Sequence, residues 1–418
     1  MIFHKTNLAS SYKKTVLDNG ITIVSEAIDT VRSIAIGVWV KTGSRFEDLN
    51  ENGMAHFLEH MMFKGTGKRS PLQIVQCLES LGGHLNAFTG KEQTCFFANS
   101  LDTYLKKSVE ILADIVCNSV FPDKEILKER MVVLEEIKAI KDTPEEYIFD
   151  LFHEKLFPEN PLGQPIIGKE NIVDKFTRNA VLNFWHDYYS APNIVIAAAG
   201  NLKHEQLIKH VMNYFTFNTS YVSTRQKLKV TAAQSTCYKI NQPINQTHIC
   251  MGGESFSYTS DERYPLLVLN AYLGGGMSSR LFQRLREKRG LVYSVYSFLD
   301  FYSDIGIFGV YAGTDSKQLN SVSELLYQEL LRVTQKPLSD GILTKIKNQL
   351  KGNLVLGLEG TSRRMSRLAK NELYFGQYVS IDDLIYCIDR VTSEDIYRVA
   401  NKIVQPEKFI TVVFQSSN

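Results

Sequence analysis

Residues 53–65 read GMAHFLEHMMFKG, a stretch in which apolar residues surround three polar ones. Polar residues precede the stretch and Gly65 ends it, a pattern typical of a short helix. At helical spacing His56, Glu59 and His60 share one face, and apolar side chains cover the other faces. Burying such polar groups costs several kcal/mol unless the interior provides a partner. A metal ion would be such a partner.

The two histidines are four residues apart, so their imidazoles point the same way and can chelate one zinc ion. Glu59 lies beside that position, where it can act as a general base without binding the metal. Two core histidines satisfied by hydrogen bonds are the alternative interpretation. Three matched polar positions on an otherwise apolar helix favour the H-x-x-E-H zinc signature.

A catalytic zinc site needs a third protein ligand, and residues 129–137 (ERMVVLEEI) are the best source. Glu129 and Glu136 are seven residues apart and share a helix face, whereas Glu135 points away. We predict that Glu136 binds zinc and that Glu129 accepts a hydrogen bond from a ligand imidazole. The alternative interpretation of this segment is a solvated acidic helix face.

The H-x-x-E-H motif, followed 76 residues later by Glu136 in ERMVVLEEI, resembles the pitrilysin family of zinc peptidases. The likeness is closest to the catalytic β subunit of mitochondrial processing peptidase and its bacterial relatives. Residues 82–89 (GGHLNAFT), 161–163 (PLG) and 274–282 (GGGMSSRLF) extend the resemblance over nearly the whole chain. The resemblance implies a zinc-dependent endopeptidase with one Zn²⁺ per chain.

The composition fits a globular protein of two domains, since 418 residues exceed one ordinary core. A net charge of +2 and 22% charged residues point neither to nucleic acid nor to a membrane surface. The six scattered cysteines are typical of reduced thiols, and no apolar stretch is long enough to span a membrane. The opening residues lack signal- and transit-peptide patterns. We therefore expect the bacterial cytoplasm, or the mitochondrial matrix if the source is eukaryotic.

Residue periodicity predicts the order of the secondary-structure elements in the first half. Strands are expected as a pair at 22–25 and 34–40, as a second pair at 85–89 and 94–98, and finally at 193–199. Besides the helix with the histidines, helices are expected at 71–81, 101–116, 123–140, 144–156 and 177–189.

The second half repeats this order at a period near 210 residues. Residues 249–253 align with 36–40, 264–273 with the histidine helix, 292–298 and 306–312 with the second strand pair, and 339–355 with the glutamate helix. We therefore predict an α+β fold of two homologous domains, each an antiparallel-rich β-sheet with helices on one face. The family resemblance implies the fold of LuxS-like and processing-peptidase-like metalloenzymes. The domains are residues 1–214 and 229–418, joined by a polar linker at 215–228.

The second domain lacks the zinc ligands. Through the repeat, the positions of His56, Glu59 and His60 hold Leu269, Tyr272 and Leu273, and those of Glu129 and Glu136 hold Ile346 and Asn353. The second domain must therefore contribute in another way.

The resemblance implies roles for residues of both domains in binding the substrate. Arg286 and Tyr293 match an arginine and a tyrosine that reach the substrate from the second domain, where they can hydrogen-bond an oxyanion. Asn86 and Ala87 match an edge strand that pairs with an extended peptide. Phe63 matches an apolar wall for the residue after the cut. The alternative interpretations are that Arg286 is an ordinary surface residue, that Tyr293 packs within its sheet, and that the strand of Asn86 and Ala87 is an ordinary sheet strand.

Glu146 and Asp150 are four residues apart on one helix face, ten and fourteen residues beyond Glu136. At these offsets the processing-peptidase β subunit holds an arginine that lies two residues before the cut. Two carboxylates bind the guanidinium of an arginine better than they bind the ammonium of a lysine. Basic, presequence-like peptides are therefore the expected substrates, and a solvated acidic face is the alternative.

In the mechanism that the resemblance implies, zinc polarises the peptide carbonyl and acidifies a water molecule, and Glu59 moves the proton to the leaving amine. The rival hypothesis is a non-catalytic regulatory or structural subunit of the same fold, which typically lacks ligands or the base. The family's chamber contains four such domains, so we expect a homodimer or a heterodimer with a paralogue. We expect Gly274, Gly275 and Gly276 to allow flexing at the chamber entrance.

Overall fold

The computed structural model describes residues 11–217, 228–233, 235–405 and 408–416. In this part of the chain the strands form two sheets, one in each half. The first sheet contains β1 (Tyr12–Val16), β2 (Thr22–Ala27), β3 (Ser33–Val40), β4 (His84–Thr89), β5 (Thr94–Leu101) and β6 (Ile194–Gly200). The second contains β7 (Thr236–Gln242), β8 (Thr247–Ser255), β9 (Val292–Phe301), β10 (Gly306–Thr314) and β11 (Ile410–Ser416).

Among the described residues, the α-helices follow β3 in the first half and β8 in the second. Those of the first half are α1 (Met54–Met61), α2 (Pro71–Glu79), α3 (Leu105–Asn118), α4 (Asp123–Lys141), α5 (Pro144–Leu156), α6 (Glu170–Val173), α7 (Arg178–Tyr188) and α8 (His204–Tyr214). Those of the second half are α9 (Arg263–Gly274), α10 (Leu319–Arg332), α11 (Asp340–Gly357), α12 (Thr361–Phe375), α13 (Ile381–Arg390) and α14 (Ser393–Ile403).

The two sheets have the same strand connections, which confirms the predicted duplication. Their orders are β1-β2-β6-β3-β5-β4 and β7-β11-β8-β10-β9, so that β1 alone has no counterpart among the described strands. Only β2–β6 and β7–β11 pair in parallel. The α+β class with two antiparallel-rich sheets is therefore as predicted.

The predicted pairing of residues 22–25 with 34–40 is wrong, because β6 lies between β2 and β3. Every residue of β6 is buried, which is typical of a strand covered on both faces in the middle of a sheet. The helix expected from residue 101 begins at Leu105, since β5 continues to Leu101. Of the predicted linker, 215–228, residues 218–227 lie outside the described residues.

Each sheet is covered on its second face by a helix from the other half. On the first sheet α12 packs with Met365, Leu368 and Ala369 fully or almost fully buried, and the Trp39 indole N–H lies 3.4 Å from the Met365 sulfur. On the second sheet α5 packs with fully buried residues such as Phe152. As predicted, each half's own helices cover one face of its sheet. The helix from the other half covers the second face, which the prediction did not include.

A buried arginine also joins the two halves. Arg45 donates to Glu92 at 2.8 Å and makes two 2.6 Å hydrogen bonds to Asp304 of the second half. The Glu92 carboxylate in turn accepts the backbone N–H and the hydroxyl of Ser303. Because Arg45 is 2% exposed, removing one carboxylate would leave a poorly compensated buried charge.

All six cysteines are free thiols; three are buried, two are half-buried and Cys237 is exposed. No helix among the described residues has the length and apolarity needed to cross a lipid bilayer.

Candidate metal centre

A buried carboxylate holds the start of α1. Glu47 accepts the backbone N–H groups of Gly53 and Ala55 at 2.8 and 2.7 Å and the side-chain amide of Asn52 at 3.3 Å. Burial raises the pKa of Glu47 to about 8, although these donors favour the carboxylate. A side chain on Gly53, whose φ is +97°, would also collide with Gly168. The first turn of α1, and with it the orientation of the polar face, is therefore fixed.

The three predicted ligands meet between α1 and α4. The Nε2 atoms of His56 and His60 lie 4.0 and 3.9 Å from the two carboxylate oxygens of Glu136. One ligand atom from each residue lies within 4.8 Å of the other two. Val133, fully buried one turn before Glu136, anchors α4 in the core. The predicted donor set is thus assembled in space.

Glu129 contacts one of the two imidazoles. The Nδ1 atom of His60 lies 2.8 Å from Glu129 Oε1, which leaves Nε2 directed at the metal position. The Lys64 ammonium lies 2.6 Å from the other carboxylate oxygen. Burial disfavours the charged carboxylate, but the hydrogen bonds from His60 and Lys64 outweigh it and lower the pKa of Glu129.

The donor set fits zinc. Burial and the neighbouring His60 lower the pKa of His56 to about 3, so its imidazole is neutral and has a lone pair to donate. Bonds of about 2.0–2.1 Å in tetrahedral geometry put ligand atoms roughly 3.3 Å apart, near the distances found here. The Glu136 side chain is 43% exposed, which leaves room for a fourth ligand from solvent or substrate.

Glu59 lies beside this group without belonging to it. Its residue is 9% exposed, and its Oε2 accepts a hydrogen bond from the hydroxyl of Thr89 at 2.5 Å. Burial raises the pKa of Glu59, which the Thr89 hydrogen bond partly offsets. Glu59 is therefore a buried carboxylate close to His60 and Glu136 but outside the donor set, and its role as a general base stays a prediction.

The predicted peptide-binding strand is an edge strand. Among the described strands β4 pairs with β5 on one side and with nothing on the other. Asn86 is exposed and Ala87 half-buried, and the Ala87 N–H donates to the Asn86 side chain at 2.8 Å. Phe63 is half-buried, with its ring 6.3 Å from that of Phe96.

The predicted acidic pair lies on α5, with Glu146 exposed and Asp150 half-buried. Burial raises the pKa of Asp150, and the nearby Lys91 opposes that change. Lys91 donates to the carbonyl of Gln164, and burial lowers its pKa to about 8. Asp150, but not Glu146, also lines a cavity of about 340 Å³ between α4 and α5.

Arg286 and Tyr293 lie together in the second half. The Arg286 guanidinium is 4.9 Å from the ring centre of Phe282 and 5.6 Å from that of Tyr293, which is 68% exposed. No hydrogen bond or ion pair between described residues joins either one to the three ligands. Their role at the metal centre therefore stays a prediction.

The glycines at 274–276 have a packing role that the expectation of flexing missed. A side chain on Gly274 would lie 2.0 Å from the backbone nitrogen of Ser297, and one on Gly275 would collide with Ala271. Gly276, at φ +153°, has open space around it. Gly274 thus allows α9 to approach β9 closely, and Gly275 avoids a collision with the last turn of α9 itself.

Four contributors escaped the sequence interpretation: Glu47, Lys64, Thr89 and Lys91. Glu47 and Lys91 lie in loops and Thr89 at a strand end, where no periodicity marks a residue. Lys64 lies four residues after His60, a spacing that could have indicated a contact near the same helix face.

Two imidazoles and a carboxylate from two helices, with a second carboxylate beside them in a duplicated α+β fold, form the donor set that is typical of zinc peptidases. Residues 22–170 match the family model described as insulinase (peptidase family M16), and residues 175–350 match that of the peptidase M16 inactive domain. The chain belongs to peptidase family M16, the pitrilysin family. The absence of the predicted ligands from the second half agrees with the second match.

Relatives and solved structures agree with this assignment. The chain is 37% identical to an uncharacterized zinc protease of Bacillus subtilis, over 97% of this chain and 99% of that one. It is 37% identical to another of Streptomyces coelicolor, over 96% and 89%. A protease from Helicobacter pylori has the same fold, with a TM-score of 0.90 and 22% identity over 97% of this chain and 99% of that one.

We predict that Glu129→Gln weakens zinc binding by about 10- to 100-fold, because the imidazole of His60 loses its charged partner. Competition with a chromophoric chelator measures the change. Glu135→Gln is the matched control on the same helix, since Glu135 is exposed and pairs with Lys138. Equal zinc affinity in the two variants would contradict the role of Glu129.

Proposed function

We propose that this protein is a zinc-dependent endopeptidase. The observation that carries the proposal is the convergence of His56, His60 and Glu136 with Glu59 beside them but outside the donor set. Zinc, when bound, would supply Lewis-acid polarisation of a peptide carbonyl and lower the pKa of a water molecule. Glu59 would accept the proton of the attacking water and deliver it to the leaving amine.

The substrate would bind in an extended conformation along β4. The open edge of β4 offers backbone groups to a new strand, as in other cases of strand addition. The Ala87 N–H donates to the side-chain oxygen of Asn86. A carbonyl of the incoming peptide must therefore displace the Asn86 side chain before it can accept that N–H. Phe63, half-buried three residues after His60, would form the apolar wall for the residue after the cut.

Glu146 and Asp150 would receive an arginine two residues before the cut. Asp150 contributes a half-buried carboxylate beside a cavity, and Glu146 adds a second from the next turn of α5. Lys91 already lies near Asp150, so a guanidinium would share that carboxylate with it. Bidentate geometry would favour arginine over lysine in this setting.

A second chain would complete the site. Among the described residues the first half carries an excess of acidic side chains and the second half an excess of basic ones, so that unlike halves of two copies attract. Arg286 and Tyr293 of one copy, or of a paralogue, would then face the metal centre of the other. The rival hypothesis, a non-catalytic subunit, is not favoured because the ligands and Glu59 are all in place.

We expect Glu59→Gln to keep zinc and fold while it loses peptidase activity by about 10²- to 10⁴-fold, since the amide cannot accept the proton. Hydrolysis of a quenched fluorescent peptide, with zinc measured by atomic absorption, tests this. Chelation should abolish the activity of the unmodified protein and added zinc should restore it. Near-normal turnover by zinc-loaded Glu59→Gln protein would show that the base lies elsewhere.

We expect the double variant Glu146→Gln, Asp150→Asn to lose the preference for arginine at the second position before the cut, with zinc content unchanged. The physical reason is the loss of both charged acceptors for the guanidinium. Cleavage-site profiling of a peptide library measures the preference. Glu145→Gln, on an exposed position of the same helix, is the control. A profile indifferent to that position in the unmodified protein would refute the pocket.

We expect activity to rise with protein concentration as paired chains form. Light scattering and peptidase assays on the same dilution series test this, and Arg286→Ala should lower the activity of the paired form. Full activity at concentrations where only single chains scatter would contradict the need for a partner.

A further inference from the structure

Thr89 connects the edge strand to the residue proposed as general base. It is the last residue of β4, and its hydroxyl donates to Oε2 of Glu59, thirty residues earlier in the chain. That bond commits one carboxylate oxygen and leaves the other for a proton.

The turn that follows Thr89 is held firmly in place. Backbone N–H groups of Ser44 and Arg45 donate to the carbonyls of Gly90 and Lys91 at 3.2 and 2.8 Å. Glu92 in the same turn is held by Arg45 and by Ser303 of the second half. The hydroxyl of Thr89 is therefore presented from a backbone that both halves immobilise.

Without the hydrogen bond from Thr89, rotation of the Glu59 side chain would move its carboxylate oxygens over several ångströms. A general base must lie within about 2.6–3.2 Å of the proton that it takes. A hydrogen bond from a fixed backbone restricts that rotation at little entropic cost, because threonine has few rotamers. The geometry thus favours a base held ready in one orientation.

We propose that Thr89 is a positioning residue, which holds Glu59 in the orientation for proton transfer. This inference rests on the proposed peptidase function. It assigns to the hydroxyl of Thr89 an effect on turnover that acts through Glu59 and leaves peptide affinity unchanged.

Thr89→Val, Thr89→Ser and Thr94→Val provide the first test. Valine keeps the shape and strand preference of threonine without its hydroxyl, and serine restores the hydroxyl. Thr94 is the matched control, since it lies opposite Thr89 on β5 and donates to the carbonyl of Thr42 instead. We expect Thr89→Val to lower kcat about ten-fold or more with KM within about two-fold, part of what a general base contributes. Thr89→Ser should recover most of the loss, and Thr94→Val should keep kcat.

A double-mutant cycle with Glu59→Gln provides the second test. If Thr89 acts through Glu59, Thr89→Val should cause no further loss of activity in the Glu59→Gln protein. In that background, the Kd for a fluorescent peptide and the zinc content should also be unchanged by Thr89→Val. These two measurements do not depend on turnover.

Some results would overturn this inference and leave the proposed function standing. They are an unchanged kcat in Thr89→Val, an effect confined to KM, or an equal loss of activity from Thr89→Val in the unmodified and the Glu59→Gln protein. Zinc loss in Thr89→Val would overturn it too, since it would show a structural role. If the zinc-loaded unmodified protein cleaves no peptide, the proposed function itself falls, and this inference falls with it.

Discussion

Desolvation of the polar face of α1 is the constraint on which the rest of this structure depends. A helix embedded in a hydrophobic core carries two imidazoles and a carboxylate, and none of them is tolerated there without partners. The surrounding elements supply partners for two of these groups: Glu129 of α4 for His60, and Thr89 of the edge strand for Glu59. Glu47 fixes the backbone at the start of the helix and thereby the direction of its polar face.

Sequence periodicity could predict what depends on regular spacing. His56 and His60, like Glu129 and Glu136, repeat at helical intervals, so the helix face of each pair was predictable. That the two faces meet was predicted from the need of a zinc site for a third ligand. The position of β6 in the sheet could not be predicted, because periodicity identifies a strand but does not show which strands lie next to it. Contacts made by loops and strand ends, such as that of Thr89 with Glu59, join distant residues that no repeat connects.

The second half shows what the same fold becomes without a donor set. Leu269 and Leu273, at the positions of His56 and His60, are fully buried, and Ile346 at the position of Glu129 is 7% exposed. Apolar packing there replaces the polar face and needs no metal. The second half instead stabilises the first half. Its helix α12 packs on the sheet of the first half, and Ser303 and Asp304 bind Glu92 and Arg45 near the edge strand β4.

The exchange of helices between halves has a consequence during synthesis on the ribosome. The apolar outer face of the first sheet, with Trp39 at its centre, is complete once β6 has emerged at Gly200, but its cover α12 ends only at Phe375. At a translation rate of about 5–20 residues per second, that face stays uncovered for roughly 10 to 35 s. A nascent chain of this protein thus exposes an apolar surface over that interval, until α12 can pack on it.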